Sequence, residues 1–193
     1  MVSLEPHDVR FFESATELRD WFDANHETAD ELWLGYFRKS TGRATLDWSA
    51  AVDEALCVGW IDGVRRSLDA ESYVQRFTPR KPRSLWSRVN RERAIALIKA
   101  KAMMPAGLAA VEVAKANGEW DRAYSPGSTI TEPKDLLAAL RKNPRAKAFY
   151  KELNAQNRFS ILHRLEKSAK PETRAKRLAK FVEMLERGER IHA

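Results

Sequence analysis

Residues 55–90, ALCVGWIDGVRRSLDAESYVQRFTPRKPRSLWSRVN, decide the fold of this chain. The stretch combines turn glycines, aromatic residues, a cysteine and a dense cationic run. Trp60–Leu68 and Glu71–Thr78 are rich in strand-forming residues and are separated by a short turn, which predicts an antiparallel hairpin. Pro79 and Pro82 end the second strand, because proline has no N–H to donate to a neighbouring strand.

The residues before this hairpin predict two helices and one more strand. Ser14 and Glu17 have the spacing of a capping box, which predicts a short helix with an apolar face. Glu31–Lys39 is rich in strand formers. Asp47 is a favourable N-cap for a helix that runs to Cys57 on an apolar stripe.

The residues after the hairpin predict two further helices. One begins at about Asn90, and the other has Pro105 in its first turn and ends at Gly118. The N-terminal part is therefore predicted to be a small antiparallel sheet covered by helices.

The remainder of the chain has only helical patterns. Tyr124–Thr131, rich in Pro, Gly and Ser, is predicted to be a linker. Pro133, Pro144 and Pro171 each fit the first helical position, and apolar stripes recur until Gly188. This pattern predicts a bundle of four short helices.

The predicted fold class is α+β, with two domains. Residues 1–122 form the α+β domain, which contains the GWIDG and FTPRK motifs, and residues 132–190 form the helical domain. All six tryptophans precede the second domain, so the two cores are expected to differ.

Composition limits the class of protein. Of 193 residues, 44% are hydrophobic and 32% are charged, as in a globular protein. The single cysteine allows no intramolecular disulfide. The four histidines lack ligand spacing, and no nucleotide-binding fingerprint is present, so we expect neither metal nor cofactor. With no export signal and no apolar run of ~20 residues, we expect a cytoplasmic protein without a membrane span.

Charge is distributed unevenly along the chain. Residues 1–75 contain 15 acidic and 7 basic side chains, whereas residues 76–193 contain 12 acidic and 27 basic ones. The basic part could attract an anionic partner, or the acidic and basic parts could attract each other.

Four motifs give the chain a family resemblance: ALCVGWIDG (55–63), FTPRK (77–81), SLWSRVN (84–90) and ETRAKR (172–177). In this order they resemble the bacterial YdeI or OmpD-associated family, also called bacteriocin-protection proteins, from the Trp21 and Trp33 region to Arg177. The resemblance implies a role in protection against cationic peptides or in envelope stress. It implies no catalytic residues.

The cationic run from Arg76 to Arg93 is the main candidate site. Guanidinium groups bind phosphate or carboxylate at two points, and the following helix start favours an anion as well. The predicted ligand-binding residues are Trp60, Arg76, Arg80, Lys81, Arg83, Trp86 and Arg88. The alternative is a solvated basic loop that forms salt bridges with the acidic N-terminal third.

Asp62 and Cys57 are weaker catalytic candidates. Asp62, in the GWIDG turn, could act as a general base or pair with Arg76 or Arg80. Cys57 could be a nucleophile if a cation lowered its pKa. The structural alternatives are a turn carboxylate that accepts backbone hydrogen bonds and a buried, inert thiol.

The segment Lys170–Lys180 opens the last predicted helix with a basic face, which is either a binding surface or simply solvated.

Three functional hypotheses remain. The first is a non-enzymatic stress-protection protein that binds an anionic small molecule or an acidic protein surface. The others are a small enzyme using Asp62 and Cys57, and a sequence-independent nucleic-acid-binding protein.

Overall fold

The computed structural model describes residues 6, 8–127, 129–168 and 170–192. Helices dominate, and a four-stranded sheet lies in the N-terminal half, which confirms the α+β class. The strands are β1 (Val9–Phe11), β2 (Leu32–Phe37), β3 (Trp60–Ser67) and β4 (Ser72–Pro79). The helices are α1 (Ala15–Asn25), α2 (Trp48–Cys57), α3 (Arg88–Lys99), α4 (Pro105–Ala116), α5 (Lys134–Lys142), α6 (Pro144–Glu152), α7 (Ala155–Glu166) and α8 (Pro171–Glu186).

The chain divides into two compact units. The N-terminal unit contains the residues up to Trp86 together with Asn90–Asp121, and the C-terminal unit contains Ser87–Val89 together with the residues from Arg122 onward. The sequence predicted two domains, residues 1–122 and 132–190. That these two parts fold independently stays a prediction.

The sheet of the N-terminal unit has the strand order β1-β2-β4-β3. The predicted hairpin is present, because β3 and β4 pair antiparallel from Trp60 opposite Pro79 to Ser67 opposite Tyr73. The sheet is mixed rather than purely antiparallel, since β1 pairs with β2 in parallel. β1 has only three residues, too few to show an alternating pattern in the sequence.

Capping and close packing position the helices of the N-terminal unit. The Asp47 carboxylate accepts hydrogen bonds from the backbone N–H groups of Ser49 and Ala50 at the start of α2. The other end of α2 contacts α4 at Gly107, where an added Cβ would lie only 2.2 Å from the Cys57 carbonyl oxygen. Gly107 therefore permits the close approach of the two helices.

The four helices of the C-terminal unit enclose their own core, as predicted. Its buried side chains include Leu136, Leu140, Ile161, Leu165 and Leu185. The helix starts differ slightly from the prediction. Asn143 caps α6 as predicted, but Pro133 is the N-cap of α5 rather than its first residue, and Asn154 caps α7.

Asn157 on α7 ties the C-terminal residues to this bundle. It is only 1% exposed. Its side-chain oxygen accepts hydrogen bonds from the backbone N–H groups of Ile191 and His192, and its amide donates to the His192 carbonyl. All these groups are therefore satisfied away from solvent.

The described residues of the predicted linker Tyr124–Thr131 belong to the C-terminal unit, and the linker role stays a prediction. Ser125 is 6% exposed, and both its backbone N–H and its hydroxyl donate to the Glu166 carboxylate at 3.0 and 2.8 Å. These two hydrogen bonds hold Ser125 against α7. The sequence suggested a linker because Pro, Gly and Ser are common in linkers. The same residues are common in ordered turns, so composition alone does not separate the two.

Candidate functional site

The cationic run from Arg76 to Arg93 is shared between the two units. Arg76, Arg80, Lys81 and Arg83 belong to the N-terminal unit, whereas Arg88 belongs to the C-terminal unit. The seven predicted ligand-binding residues therefore do not form one cluster within a single unit.

Arg76 on β4 is engaged within the sheet. Its Nε donates to the Glu31 carboxylate at 2.6 Å, and the indole N–H of Trp33 donates to the other oxygen of the same carboxylate at 3.1 Å. Arg76 and Trp33 are direct cross-strand partners. Of the two arginines considered as partners of Asp62, Arg76 therefore pairs with Glu31.

Arg80 lies directly against Trp86. Its guanidinium carbon is 3.7 Å from the centre of the Trp86 ring, and Nη1 donates to the Leu85 carbonyl at 3.2 Å. Trp86 is buried and also packs edge-on against Trp120, with ring centres 4.9 Å apart. The stacking holds the Arg80 side chain against the indole face.

A closed turn holds the segment between these two residues. The Ser84 N–H donates to the Lys81 carbonyl at 2.8 Å, and the Lys81 N–H donates to the Ser84 hydroxyl at 2.9 Å. Asn117 also donates to the Pro82 carbonyl. Lys81 and Arg83 extend from this turn as exposed side chains.

A small pocket of about 80 Å³, which we call the Arg80 pocket, lies between this turn and α4. It is lined by Arg80, Lys81, Pro82, Trp86, Ala110, Val113 and Ala114. Of the described residues that line it, two are cationic and none is acidic. Its size suits a single phosphate or carboxylate group rather than a large ligand.

Trp60 lies in the core of the N-terminal unit and does not line the Arg80 pocket. It is 1% exposed, packs edge-on against Trp21 and Phe22, and donates its indole N–H to the His26 carbonyl at 3.3 Å. These contacts give it a packing role.

Arg88 belongs to a polar cluster of the C-terminal unit. Its Nη2 is 3.8 Å from Glu166, the carboxylate that binds Ser125. Its backbone N–H donates to the Tyr124 carbonyl at 2.9 Å. Arg88 is about half exposed, so one face of its guanidinium contacts solvent.

Asp62 is partly buried beside the β-bulge of β3. Gln75 donates its side-chain N–H to Asp62 Oδ2 at 3.2 Å, and the strand register shifts between Asp62 and Arg65. Burial raises the pKa of Asp62, while the positive charges of Arg80 and Arg93 act in the opposite direction. The carboxyl group is therefore easier to protonate than an exposed aspartate.

Cys57, the last residue of α2, is 1% exposed. Burial raises the pKa of the Cys57 thiol, although the nearby Arg19 guanidinium favours the thiolate. Arg19 itself is paired with Glu54. A buried thiol with a raised pKa is a poor nucleophile. Among the described residues, no three His, Cys, Asp or Glu side chains cluster as metal ligands do.

The ETR motif of α8 has structural contacts. Arg174 binds both oxygens of Asp135 and donates to the Leu165 carbonyl at 2.6 Å. Arg177 donates to the Arg164 carbonyl and to Ser168. These bonds add side-chain donors to carbonyl groups at the end of α7, where helical hydrogen bonds run out.

A larger cleft in the C-terminal unit escaped the sequence interpretation. It is lined by side chains from α5, α6 and α7, among them Tyr150, Phe159 and Arg158. Each residue looks ordinary in the sequence, because Tyr150 and Phe159 fit apolar helical stripes. The one signal was the alternation of these aromatics with Arg141, Lys147 and Arg158, which also suits a solvated helix face.

The fold is thus that of a two-unit α+β protein with a basic helical C-terminal part. A family model described as a domain of unknown function, DUF8412, matches residues 10–110, more than half of the chain, and the chain belongs to this family. The model of the bacteriocin-protection, YdeI or OmpD-associated family matches residues 129–188, which confirms the resemblance seen in the sequence. No curated protein and no solved structure matches the chain.

The two matches divide the motifs that carry the resemblance. GWIDG, FTPRK and SLWSRVN fall within the DUF8412 match, and ETRAKR falls within the other. The second family is associated by name with bacterial protection. Within the described residues, no helix is both long and apolar enough to cross a membrane.

Proposed function

We propose that the protein is a bacterial protection-related binding protein that recognises a small anionic group at the Arg80 pocket. The observation that carries this proposal is the Arg80 guanidinium stacked 3.7 Å from the Trp86 ring in a pocket with cationic and no acidic lining residues. Such a guanidinium loses little freedom when it binds an anion, because its position is already held.

The electrostatics of the turn support the proposal. Lys81 and Arg83 are exposed, so their charges reach an approaching anion through solvent, and Arg80 supplies a fixed donor below them. Charge-assisted hydrogen bonds to phosphate or carboxylate are about twice as strong as neutral ones. The apolar side chains of Ala110 and Val113 can pack against a small apolar part of the ligand.

The proposed set of ligand-binding residues is therefore Arg80, Lys81, Arg83 and Trp86. Arg76 is excluded because its guanidinium binds Glu31, and Trp60 because it is buried in the core. Arg88 is left out because it belongs to the C-terminal unit.

Calorimetric titration with inorganic phosphate, with citrate and with acetate, at ionic strength matched by chloride, tests the proposal. Loss of one charge-assisted contact should weaken binding by about tenfold. We expect this for Arg80→Ala and for Lys81→Ala, whereas Lys99→Ala, an exposed lysine on α3 outside the pocket, should bind as the wild type does. Equal affinities in all four proteins would instead support the solvated-loop interpretation.

Duplex DNA of mixed sequence separates this proposal from nucleic-acid binding. We expect weak binding that falls steeply with salt, because a few exposed cations neutralise few phosphates. Submicromolar affinity at physiological salt, lost on charge reversal at Lys81 and Arg83, would favour the nucleic-acid hypothesis.

Asp62 favours a second candidate function, an enzyme that uses this carboxyl group as acid or base. The raised pKa of Asp62 and the nearby charge of Arg80 support it, since titrating groups at active sites are often perturbed in this way. Asp62→Asn would abolish such an activity and leave anion binding at Arg80 nearly unchanged. Cys57 is not part of this candidate, because its thiol is buried.

A further inference from the structure

The C-terminal unit contains a cleft much larger than the Arg80 pocket. Its volume is about 760 Å³, within the range of sites for drug-sized ligands. An adjoining pocket of about 310 Å³ shares four lining residues with it: Glu132, Leu137, Tyr150 and Arg158. We call the two together the helical cleft.

Both parts of the helical cleft combine apolar and polar side chains. The larger part has an apolar wall formed by Leu137, Leu153, Phe159 and Leu162. The smaller part adds three cationic side chains, Arg141, Lys147 and Lys151. A ligand that fills both parts would contact both apolar side chains and positive charge.

Two polar groups shared by both parts make no hydrogen bond of normal geometry. Tyr150 is 4% exposed, and its hydroxyl makes no such bond among the described residues, although the Glu132 carboxylate lies near enough to interact with it. Nε of Arg158, a buried atom, makes no such bond among these residues either. Buried polar atoms are nearly always paired in native proteins, so two of them at one cleft need an explanation.

Arg158 is held beside Tyr150. Its Nη2 donates to the Lys151 carbonyl at the end of α6, and its guanidinium carbon lies 5.7 Å from the centre of the Tyr150 ring. Both groups are donors, since Tyr150 is neutral: burial and the interaction with the Glu132 carboxylate raise its pKa. An oxyanion is the group that can accept from both.

We propose that the helical cleft binds a small amphiphilic acid, whose oxyanion lies at Tyr150 and Arg158 and whose apolar body packs on Phe159, Leu162 and Leu153. Among the described residues that line the cleft, Glu132 is the only acidic one, against the cations Arg141, Lys147, Lys151 and Arg158.

Fluorescence titration with anilinonaphthalene sulfonate, an acid with an apolar aromatic body, tests the proposal. Phenylnaphthylamine, which has the aromatic body without the acid, is the matched probe. We expect saturable binding of the sulfonate to the full chain at one site, and weaker binding of the uncharged probe. Unsaturable binding, or equal affinity for both probes, would overturn the proposal.

Substitutions of cleft residues show where the probe binds. Arg158→Gln should weaken sulfonate binding by about tenfold and leave the uncharged probe unaffected. If Arg158→Gln does not fold, the double variant Lys147→Gln, Lys151→Gln removes exposed charge from the same cleft. Arg145→Gln on α6, an exposed residue that lines neither part of the cleft, should behave as the wild type. Equal loss in this control would indicate a nonspecific charge effect and overturn the proposal.

Tyr150→Phe separates a binding role from a structural one. The hydroxyl makes no hydrogen bond of normal geometry within the described residues, so its removal should change the melting temperature little while it weakens sulfonate binding severalfold. A lower melting temperature with unchanged binding would overturn the proposal.

Competition identifies the ligand class. Octanoate should displace the sulfonate, whereas acetate, which has the carboxylate without the apolar body, should not. Displacement by acetate at the same concentration would show a simple anion site and contradict the amphiphilic assignment. Arg83→Ala should leave all these results unchanged, so the outcome is independent of the Arg80 pocket.

Discussion

Arg174 and Asp135 form a two-point ion pair. Nε of Arg174 is 2.7 Å from Oδ2 of Asp135, and Nη2 is 2.9 Å from Oδ1, so the first turns of α8 and α5 are joined. Nη1 of the same arginine binds the Leu165 carbonyl at the end of α7. One guanidinium thus connects three of the four helices of the C-terminal unit.

Replacing Arg174 should therefore destabilise the C-terminal unit. Arg174→Ala removes the guanidinium from Asp135 and from the Leu165 carbonyl, each of which keeps only backbone N–H donors among the described residues, and this should cost about 1–3 kcal/mol in urea unfolding. Arg174→Lys should recover only part of this, because an ammonium group cannot bind two oxygens in a fork. Arg187→Ala, which removes a surface ion pair on the same helix, should have little effect. Equal destabilisation by both alanine variants would contradict the assigned role.

Gly107→Ala should destabilise the N-terminal unit. A helical glycine usually gains about 0.5–1 kcal/mol on replacement by alanine. Here the new Cβ would lie 2.2 Å from the Cys57 carbonyl oxygen, and the backbone shift this requires costs about 1–3 kcal/mol or more. The steric cost of the added methyl group should exceed the gain in helix propensity. The variant should therefore unfold at a lower temperature than the wild type. Gly63→Ala, with its nearest atom at 3.4 Å, is the control and should change stability much less. A stabilised Gly107→Ala protein would refute the close contact.

His163 should make the C-terminal unit sensitive to mild acid. Its ring stacks on Phe159 and meets Tyr124 edge-on, and burial, with the charges of Lys167 and Arg164, lowers the pKa of His163 despite the nearby Glu166. The folded state therefore binds the proton less readily than the unfolded state, whose histidine has a pKa of about 6.5. Stability from neutral His163 is present above that pH and is lost as the pH falls towards the folded-state pKa.

Chemical unfolding of the wild type and of His163→Gln from pH 8 to about pH 5 measures this effect. The wild type should lose stability over this range more steeply than the variant. His192→Gln is a suitable control, since the His192 ring contacts Ser160 instead. Parallel curves for the wild type and His163→Gln would show that His163 does not contribute.

Limited digestion with proteinase K should cut first in the turn that ends at Arg122. Asp121 and Arg122 are exposed, whereas Ser125 is buried and bound to Glu166. Cleavage needs an accessible backbone that can open locally. Mass spectrometry should find a resistant C-terminal fragment that still contains Ser125. A first cut within 124–131 would support the linker interpretation instead.

Much of the fold could be predicted because local rules and tertiary structure agree. Asp47 and Asn143 cap their helices as their residue types indicate, and the hairpin follows from two strand-rich runs with prolines after the second. The exceptions are local too. β1 is too short for a pattern, and Tyr124–Thr131 has the composition of a linker although Ser125 is buried by Glu166, 41 residues later in the chain.

The candidate site could be predicted only in part. The sequence shows that Arg80, Lys81 and Arg83 are neighbours, but not that Arg76 binds Glu31, 45 residues earlier. The stacking of Arg80 on Trp86 depends on the closed turn at Lys81–Ser84. The residues that line the helical cleft lie on three different helices. No spacing pattern within the sequence predicts that they come together.

The attachment of Ile191 and His192 to Asn157 has a practical consequence for protein engineering. Deleting the last residues would strip a buried amide of its partners, so a shortened chain should express as a less stable product even though the deleted residues contribute little to the apolar core. A purification tag or fluorescent fusion joined there should follow a flexible spacer after residue 193. The spacer keeps the fused protein from disturbing the hydrogen bonds between Asn157 and residues 191 and 192.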